Sequence, residues 1–121
     1  MPIINQNELH KMTAGDADLV ADLAIIFVKQ LPQLQARIRL GIETHDASEL
    51  ESCAHQLKSR VSYFGATELR QQIEDFEHAA TTQSQGELSE RQSELCAGIE
   101  QLLNELRQLT DLELQIEQEP C

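Results

Sequence analysis

Apolar residues recur every three to four positions along almost the whole chain, which is the pattern of helices that bury one face. Alternation with a period of two, which indicates strands, is absent apart from a few residues near 112–116. Aromatic residues make up 3% of the 121 residues, and there is no Trp. Because sheets favour aromatic and β-branched side chains, the sequence predicts an all-α fold.

The apolar pattern divides into five predicted helices. Good N-cap residues, Asn5, Asp16 and Asp46, lie at the starts of the first three. Pro32 falls inside the second helix, but the period continues on both sides of it, so we expect one kinked helix there. The predicted elements are a short lead-in helix at 4–13, four longer helices at 16–43, 46–63, 66–82 and 87–112, and an acidic tail at 113–121 that extends the last helix or frays.

Four long amphipathic helices with short connections predict an antiparallel up-and-down four-helix bundle, with the short additional N-terminal helix at one end. The length of 121 residues corresponds to a single domain, 1–121. We expect a monomer, although the leucine seam of the fifth helix would suit a dimer as well as a bundle.

The net charge of −12 opposes two kinds of partner. Nucleic acids and anionic membranes both require Lys and Arg on the protein surface, so we expect neither. No apolar run has the length of a membrane span, and the N-terminus lacks the features of a signal peptide. Three cysteines at irregular spacing are not a secreted disulfide framework, so we expect a cytoplasmic protein with reduced thiols.

The third predicted helix carries an unusually bare histidine. The apolar stripe of this helix centres roughly 130° from His55, so the imidazole is predicted to face solvent. Its helical neighbours are the small residues Ser52, Ser59 and Ser62, and Lys58 follows three positions later. Serine is a mediocre helix former, and close approach of a partner would explain its use here. A neutral imidazole is a nucleophile, and Lys58 could stabilise negative charge that arrives on it.

Other chemistry finds little support in the sequence. A glycine-rich phosphate loop, G-x-S-x-G, H-E-x-x-H and paired C-x-x-C motifs are all absent, so we expect no ATP site and no enzyme active site. The nearest approach to a metal-ligand set is Glu74 and Asp75 just before His78, without a matching second pair. Metal binding is therefore the least supported hypothesis for this chain.

The motif from Ala54 to Lys58, followed by Phe64-Gly65-Ala66 and Leu69, resembles the signature of the histidine-containing phosphotransfer (HPt) domain. The start of the second helix, D-A-D-L-V-A-D-L-A-I-I-F with Pro32 midway, is also similar to that family, and the resemblance covers most of the chain.

This resemblance implies a phosphorelay intermediate. His55 would accept a phosphoryl group on Nε2 from a receiver-domain aspartate or from a sensor histidine kinase, and would pass it to another response-regulator receiver. Lys58 would steady the phosphoryl group. The resemblance further implies that the receiver supplies magnesium and most of the catalysis, so the chain needs no cofactor of its own.

Two positions depart from the family pattern. Ser59 stands where the family usually has Gly, and Arg60 stands where it usually has a small residue. These departures leave open an alternative function, in which the bundle is a non-phosphorylated adaptor or antagonist that binds a receiver or a kinase.

The predicted receiver-docking residues are Ser52, Ser59 and Ser62 around the histidine, together with Ile25 and Val28 of the second helix. The last two fall outside the apolar stripe of their helix. They either form an exposed apolar patch near the histidine or are covered by Ile3, Ile4 or Leu9 of the lead-in segment.

Overall fold

The computed structural model describes residues 2–82 and 84–110. These residues form five α-helices and contain no strand, which confirms the all-helical prediction for the described chain. The elements are α1 (Gln6–Thr13), α2 (Ala17–Glu43), α3 (Ala47–Ser62), α4 (Thr67–Ala79) and α5 (Gln85–Thr110).

The first three helices begin where capping residues were recognised. The side chain of Asn5 accepts hydrogen bonds from the backbone N–H groups of Asn7 and Glu8, and Asp16 and Asp46 cap α2 and α3 in the same way. Each cap satisfies backbone donors that have no partner within the helix. These local interactions explain why the starts of α2 and α3 were predicted to within one residue.

The fifth helix begins two residues before its predicted start, because Ser84 caps it. The Ser84 hydroxyl accepts a hydrogen bond from the Glu87 N–H and donates one to the Glu87 carboxylate. The fourth helix ends at Ala79 instead of residue 82, and the first begins at Gln6 instead of residue 4. Residues 111–112 of the predicted fifth helix and the tail at 113–121 lie outside the described residues.

The second helix continues through Pro32 without a break in its 27 residues. Its buried face includes Phe27, Leu31 and Ile38, so the apolar period holds on both sides of the proline. Val20 is buried at the start of this helix, whereas Leu19 is 39% exposed. Val20 is therefore the first core residue of this helix.

The core lies among the four long helices. α3 packs against α2 and α4, and α5 packs against α2 and α4 from the other side, while α1 contacts α2. Phe27 and Phe64 meet in the core with ring centroids 5.7 Å apart. In α5, Leu103 is fully buried, whereas Leu109 near the end of the helix is 45% exposed.

The turn between α3 and α4 contacts the N-terminal segment. The Asn5 N–H donates to the Gly65 carbonyl at 3.0 Å, and Gly65 has a φ of +68°. A Cβ on Gly65 would lie 2.7 Å from the Asn5 carbonyl oxygen, so this position requires glycine for space as well as for backbone conformation. The N–H groups of Ile3 and Ile4 also donate to the Glu105 carboxylate, at 2.8 and 2.9 Å.

The cysteines correct one expectation. Cys53 is a free thiol and is fully buried in the core. Cys96 is also buried but is disulfide-bonded, contrary to the prediction of reduced thiols. Spacing along the chain does not report distance in the fold, so the irregular pattern could not exclude a disulfide. Cys121 lies outside the described residues.

None of the described helices combines the length and the apolar character that crossing a bilayer requires.

Candidate functional site

The site is built on the solvent-facing side of α3. Its opposite side is buried and is formed by Leu50, Cys53, Ala54, Leu57 and Val61. This packing sets the rotation of the helix about its axis, and His55 is consequently exposed, as its position relative to the stripe predicted. Within the described chain, the imidazole of His55 makes no hydrogen bond and no ion pair.

The serines around His55 leave the space above the imidazole clear. Ser59 donates its hydroxyl hydrogen to the His55 carbonyl at 3.1 Å, and Ser62 donates to the Lys58 carbonyl at 2.8 Å. These bonds return to the backbone one turn earlier in the same helix. Ser52 accepts a hydrogen bond from the Gln56 amide at 3.5 Å. The hydroxyls of Ser59 and Ser62 therefore bond along their own helix and not to the imidazole.

Lys58 is not free beside His55. Its Nζ lies 3.3 Å from Oε1 of Glu77 on α4, and the two side chains are 17% and 22% exposed. The helical spacing predicts Lys58 beside His55, but it could not indicate that a carboxylate 19 positions further along the chain holds the ammonium group. Packing of α4 against α3 brings this carboxylate to the site.

Arg60 extends to the other flank of α3. Its guanidinium donates from Nε to the side-chain oxygen of Gln30 on α2, and from a terminal nitrogen to the Gln56 carbonyl at 3.2 Å. His55 therefore lies between a flank that contacts α4 through Lys58 and a flank that contacts α2 through Arg60.

An apolar groove runs between α2 and α3 on the Arg60 side. We call it the α2–α3 groove, and its lining residues are Leu23, Ile26, Phe27, Gln30, Arg60, Tyr63 and Phe64. Ile26 and Tyr63 are 50% and 45% exposed there, so the groove presents apolar surface to solvent. Neither was singled out from the sequence. Ile26 lies four positions before Gln30 on one face of α2, and that spacing was the available signal.

The two apolar residues that were singled out on α2 lie elsewhere. Ile25 is 37% exposed but does not line the α2–α3 groove, and Val28 is half-buried against the core. His55, Lys58 and the three serines thus lie on α3, and Ile25 and Val28 lie on α2 outside the α2–α3 groove.

The N-terminal part of α3 is anchored to α2 through a polar cluster. Arg37 donates to the Glu49 carboxylate, with Nε 2.6 Å from Oε1, and the Cys53 thiol lies 3.4 Å from the same oxygen. The hydrogen bond from Arg37 lowers the pKa of Glu49. Burial, followed by the Glu49 carboxylate, raises the pKa of Cys53 to about 11, so this thiol is protonated and unreactive near pH 7.

The acidic residues near His78 do not assemble a metal centre. His78 Nε2 lies 4.0 Å from Glu74, while Asp75 accepts a hydrogen bond from Gln71. Across residues 2–82 and 84–110, no three His, Cys, Asp or Glu side chains cluster in a way that would hold a metal ion.

A protein-family model described as the Hpt domain matches residues 22–117. The match includes α3 and α4 in full, so it contains the whole His55 face. The chain therefore belongs to the Hpt domain family, whose members carry phosphoryl groups in two-component signalling and interact with receiver domains and kinases. Comparisons with curated proteins and with solved structures found no match.

Proposed function

We propose that this protein is a phosphorelay intermediate whose phosphoacceptor is His55. The group arrives from a receiver-domain aspartate or a sensor histidine kinase and leaves to another receiver. The observation that carries the proposal is the exposed imidazole of His55, unobstructed among small side chains on α3 in a chain of the Hpt domain family. A buried or shaded imidazole could not meet a phosphoryl group bound to another protein.

The transfer requires one bond to form and one to break. The lone pair of Nε2 attacks phosphorus, and the bond from phosphorus to the aspartyl oxygen breaks, so that the aspartate leaves as a carboxylate. Nδ1 keeps its proton, and the product is a phosphorylated imidazolium. Atoms and charge therefore balance without a further reactant, and the reverse reaction passes the group to the next receiver.

The catalytic parts are divided between the two partners in this proposal. Lys58 stabilises the negative charge of the phosphoryl group on His55. Magnesium belongs to the receiver, and the phosphoryl group comes from a partner, so this chain acts as a carrier without a kinase site or a cofactor of its own.

We propose that the receiver docks over α3 and the α2–α3 groove. Ser52, Ser59 and Ser62 permit close approach at the centre, and the exposed apolar side chains of Ile26 and Tyr63 contribute binding area at the edge. Ile25 and Val28, the docking residues predicted on α2, fit this surface less well, because neither lines the groove.

The proposed architecture is an antiparallel up-and-down bundle of α2 to α5 within a single domain, with α1 at one end. Short connections and the closed series of contacts from α2 through α3, α4 and α5 back to α2 support this topology. We further propose that the protein acts as a cytoplasmic monomer, because receivers and the kinase domains that serve them need a freely accessible α3 face.

The test is transfer from phosphorylated receivers of the same cell. Incubation with the correct receiver should label the protein in an acid-labile form, and His55→Gln should abolish that label. His78→Gln, which alters another exposed histidine, is the matched control and should keep it. Label that persists in His55→Gln would contradict the assignment.

The same experiment tests the adaptor alternative. If no receiver or kinase transfers a phosphoryl group and binding is unchanged by His55→Ala, the bundle is an adaptor or antagonist. Arg60 is the observation that supports the adaptor alternative. It places a guanidinium beside the groove at a position where the family usually has a small residue.

A further inference from the structure

Lys58 and Glu77 form an ion pair between α3 and α4 beside the His55 face. Nζ and Oε1 are 3.3 Å apart, and the side chains are only 17% and 22% exposed. At this exposure, water and salt screen the attraction less than they screen a pair on the open surface. An anion that arrives at His55 must therefore compete with the Glu77 carboxylate for Lys58.

A phosphoryl group on His55 would be a strong competitor. It carries more negative charge than a carboxylate and offers three acceptor oxygens. Lys58 follows His55 by three positions, so their Cβ atoms are about 5–6 Å apart on the helix surface. Ser59 and Ser62 donate to carbonyls of their own helix, and Arg60 reaches α2. Of the two cations of α3, Lys58 is therefore the one expected to meet the phosphoryl group.

We propose that Glu77 is a positioning residue that holds Lys58 while His55 is unmodified and releases it to the phosphoryl group when His55 is loaded. This inference rests on the proposed function. Lys58 is paired with the Glu77 carboxylate before His55 is phosphorylated and with the phosphoryl group afterwards. Phosphorylation of His55 therefore exchanges one ion pair of Lys58 for another.

The exchange has a consequence for the carrier. Loading His55 breaks the Lys58–Glu77 contact, and unloading restores it, so Glu77 lowers the affinity of the site for the phosphoryl group. A carrier that must give the group away benefits from this arrangement, because tight retention would stop the relay at this protein. The same exchange breaks an ion pair between α3 and α4 each time His55 is loaded.

The test uses potassium phosphoramidate, a small phosphodonor that acts without a receiver, so docking does not enter the measurement. The rate at which His55 becomes phosphorylated is followed by phosphorus NMR in the wild-type chain, Glu77→Gln, Lys58→Met and the double variant. We expect Glu77→Gln to raise the rate about three- to tenfold, the size expected for a partly buried ion pair. The same change made in Lys58→Met should alter the rate less than about twofold, because no lysine remains to be released.

Glu74→Gln is the matched control, because it removes the same charge from α4 without a contact to Lys58. Acceleration by Glu74→Gln equal to that by Glu77→Gln would overturn the proposal in favour of general repulsion of the donor. Acceleration that persists in the Lys58→Met background, or equal rates in wild type and Glu77→Gln, would overturn it as well.

A merely structural role for Glu77 predicts a different result. It would lower the unfolding midpoint in Glu77→Gln and leave the phosphorylation rate unchanged. The Lys58 ammonium signal in nitrogen NMR gives an independent measure and should shift when His55 is loaded in the wild-type chain. If wild type takes up no more phosphate than His55→Gln, the proposed function fails and this inference with it, whereas labelling at His55 that is insensitive to Glu77 refutes the inference alone.

Discussion

The serines on α3 show how a residue's own hydrogen bonding can keep a site open. Ser59 and Ser62 satisfy their hydroxyls on backbone carbonyls of the preceding turn, so they occupy little space and direct no polar group at the imidazole. Glutamate or lysine at these positions would favour the helix more but would shade His55. The cost in helix propensity is consistent with the need for a partner's close approach.

Gly65 is the residue whose replacement should damage the fold most directly. Its φ of +68° disfavours any side chain, and a Cβ would lie 2.7 Å from the Asn5 carbonyl and 2.8 Å from the Leu9 nitrogen. We expect Gly65→Ala to lower the free energy of unfolding by about 2 kcal/mol or more, measured by urea denaturation.

Gly86→Ala is the control for this prediction, because a Cβ there meets nothing within 4 Å. The alanine should be neutral or stabilise α5 by up to about 1 kcal/mol, since Gly86 lies in a helix. Equal losses in the two variants would show that the contact between Gly65 and the N-terminal segment is unimportant.

At the scale of elements, a hydrogen bond from Arg37 to the Glu49 carboxylate joins α2 to α3. The hydrogen bond from Arg37 holds the pKa of the Glu49 carboxyl below its ordinary value of 4.5. The unfolded chain therefore takes up this proton at a higher pH than the folded chain does. The resulting stabilisation is complete above pH 4.5 and is lost as the pH falls through the folded-state pKa.

This linkage predicts a pH-dependent effect of Glu49→Gln. The variant should be less stable than wild type at pH 7, and the difference between them should shrink as the pH falls below 4.5, in urea denaturation series at each pH. Glu51→Gln removes the same charge from an exposed site on the same helix and is the control. The same pH profile for both variants would contradict a specific role of the Arg37–Glu49 bond.

The helix starts were largely predictable at this scale because capping is local. A side chain at the N-cap reaches N–H groups two or three residues ahead, and no other part of the chain is required. The end of α4 and the exposure of Leu109 were not predictable in this way. Both depend on how far the neighbouring helices extend along α4 and α5. The apolar period of one helix carries no information about the ends of the others.

For the whole molecule, the position of the proposed docking surface depends on how the helices pack against each other. Ile26 on α2 and Tyr63 at the end of α3 become neighbours in one groove because these helices pack together. The apolar pattern of α2 singled out Ile25 and Val28 as residues outside the stripe, and it did not single out Ile26. The rotation of α2 in the bundle exposes Ile26 beside α3 and turns Val28 toward the core.

The α2–α3 groove can be tested separately from the chemistry of His55. We expect Ile26→Ser to slow transfer from a phosphorylated receiver about tenfold, the effect of losing about 1.4 kcal/mol of apolar contact with the receiver. Labelling by phosphoramidate should be unchanged, because no docking is involved. Leu40→Ser is the control, since Leu40 is 59% exposed toward the other end of the same helix. An equal loss in both variants would contradict docking at the groove.

The amino-acid sequence by itself determined the helices, most of their starts and the exposed position of His55. Each of these follows from interactions within one or two helical turns, and a period of 3.6 residues records them along the chain. Family membership, too, could be recognised from the Ala54–Lys58 motif and the residues that follow it.

Only the tertiary structure decided what surrounds the histidine. The Lys58–Glu77 pair, the contact of Arg60 with Gln30 and the contact of Gly65 with Asn5 all join residues on different elements. Such contacts depend on the rotation and the position of each helix against its neighbours, and the packing of the whole core sets both. The exposure of His55 thus follows from the pattern of its own helix, whereas the charged groups around it are placed by the packing of the bundle.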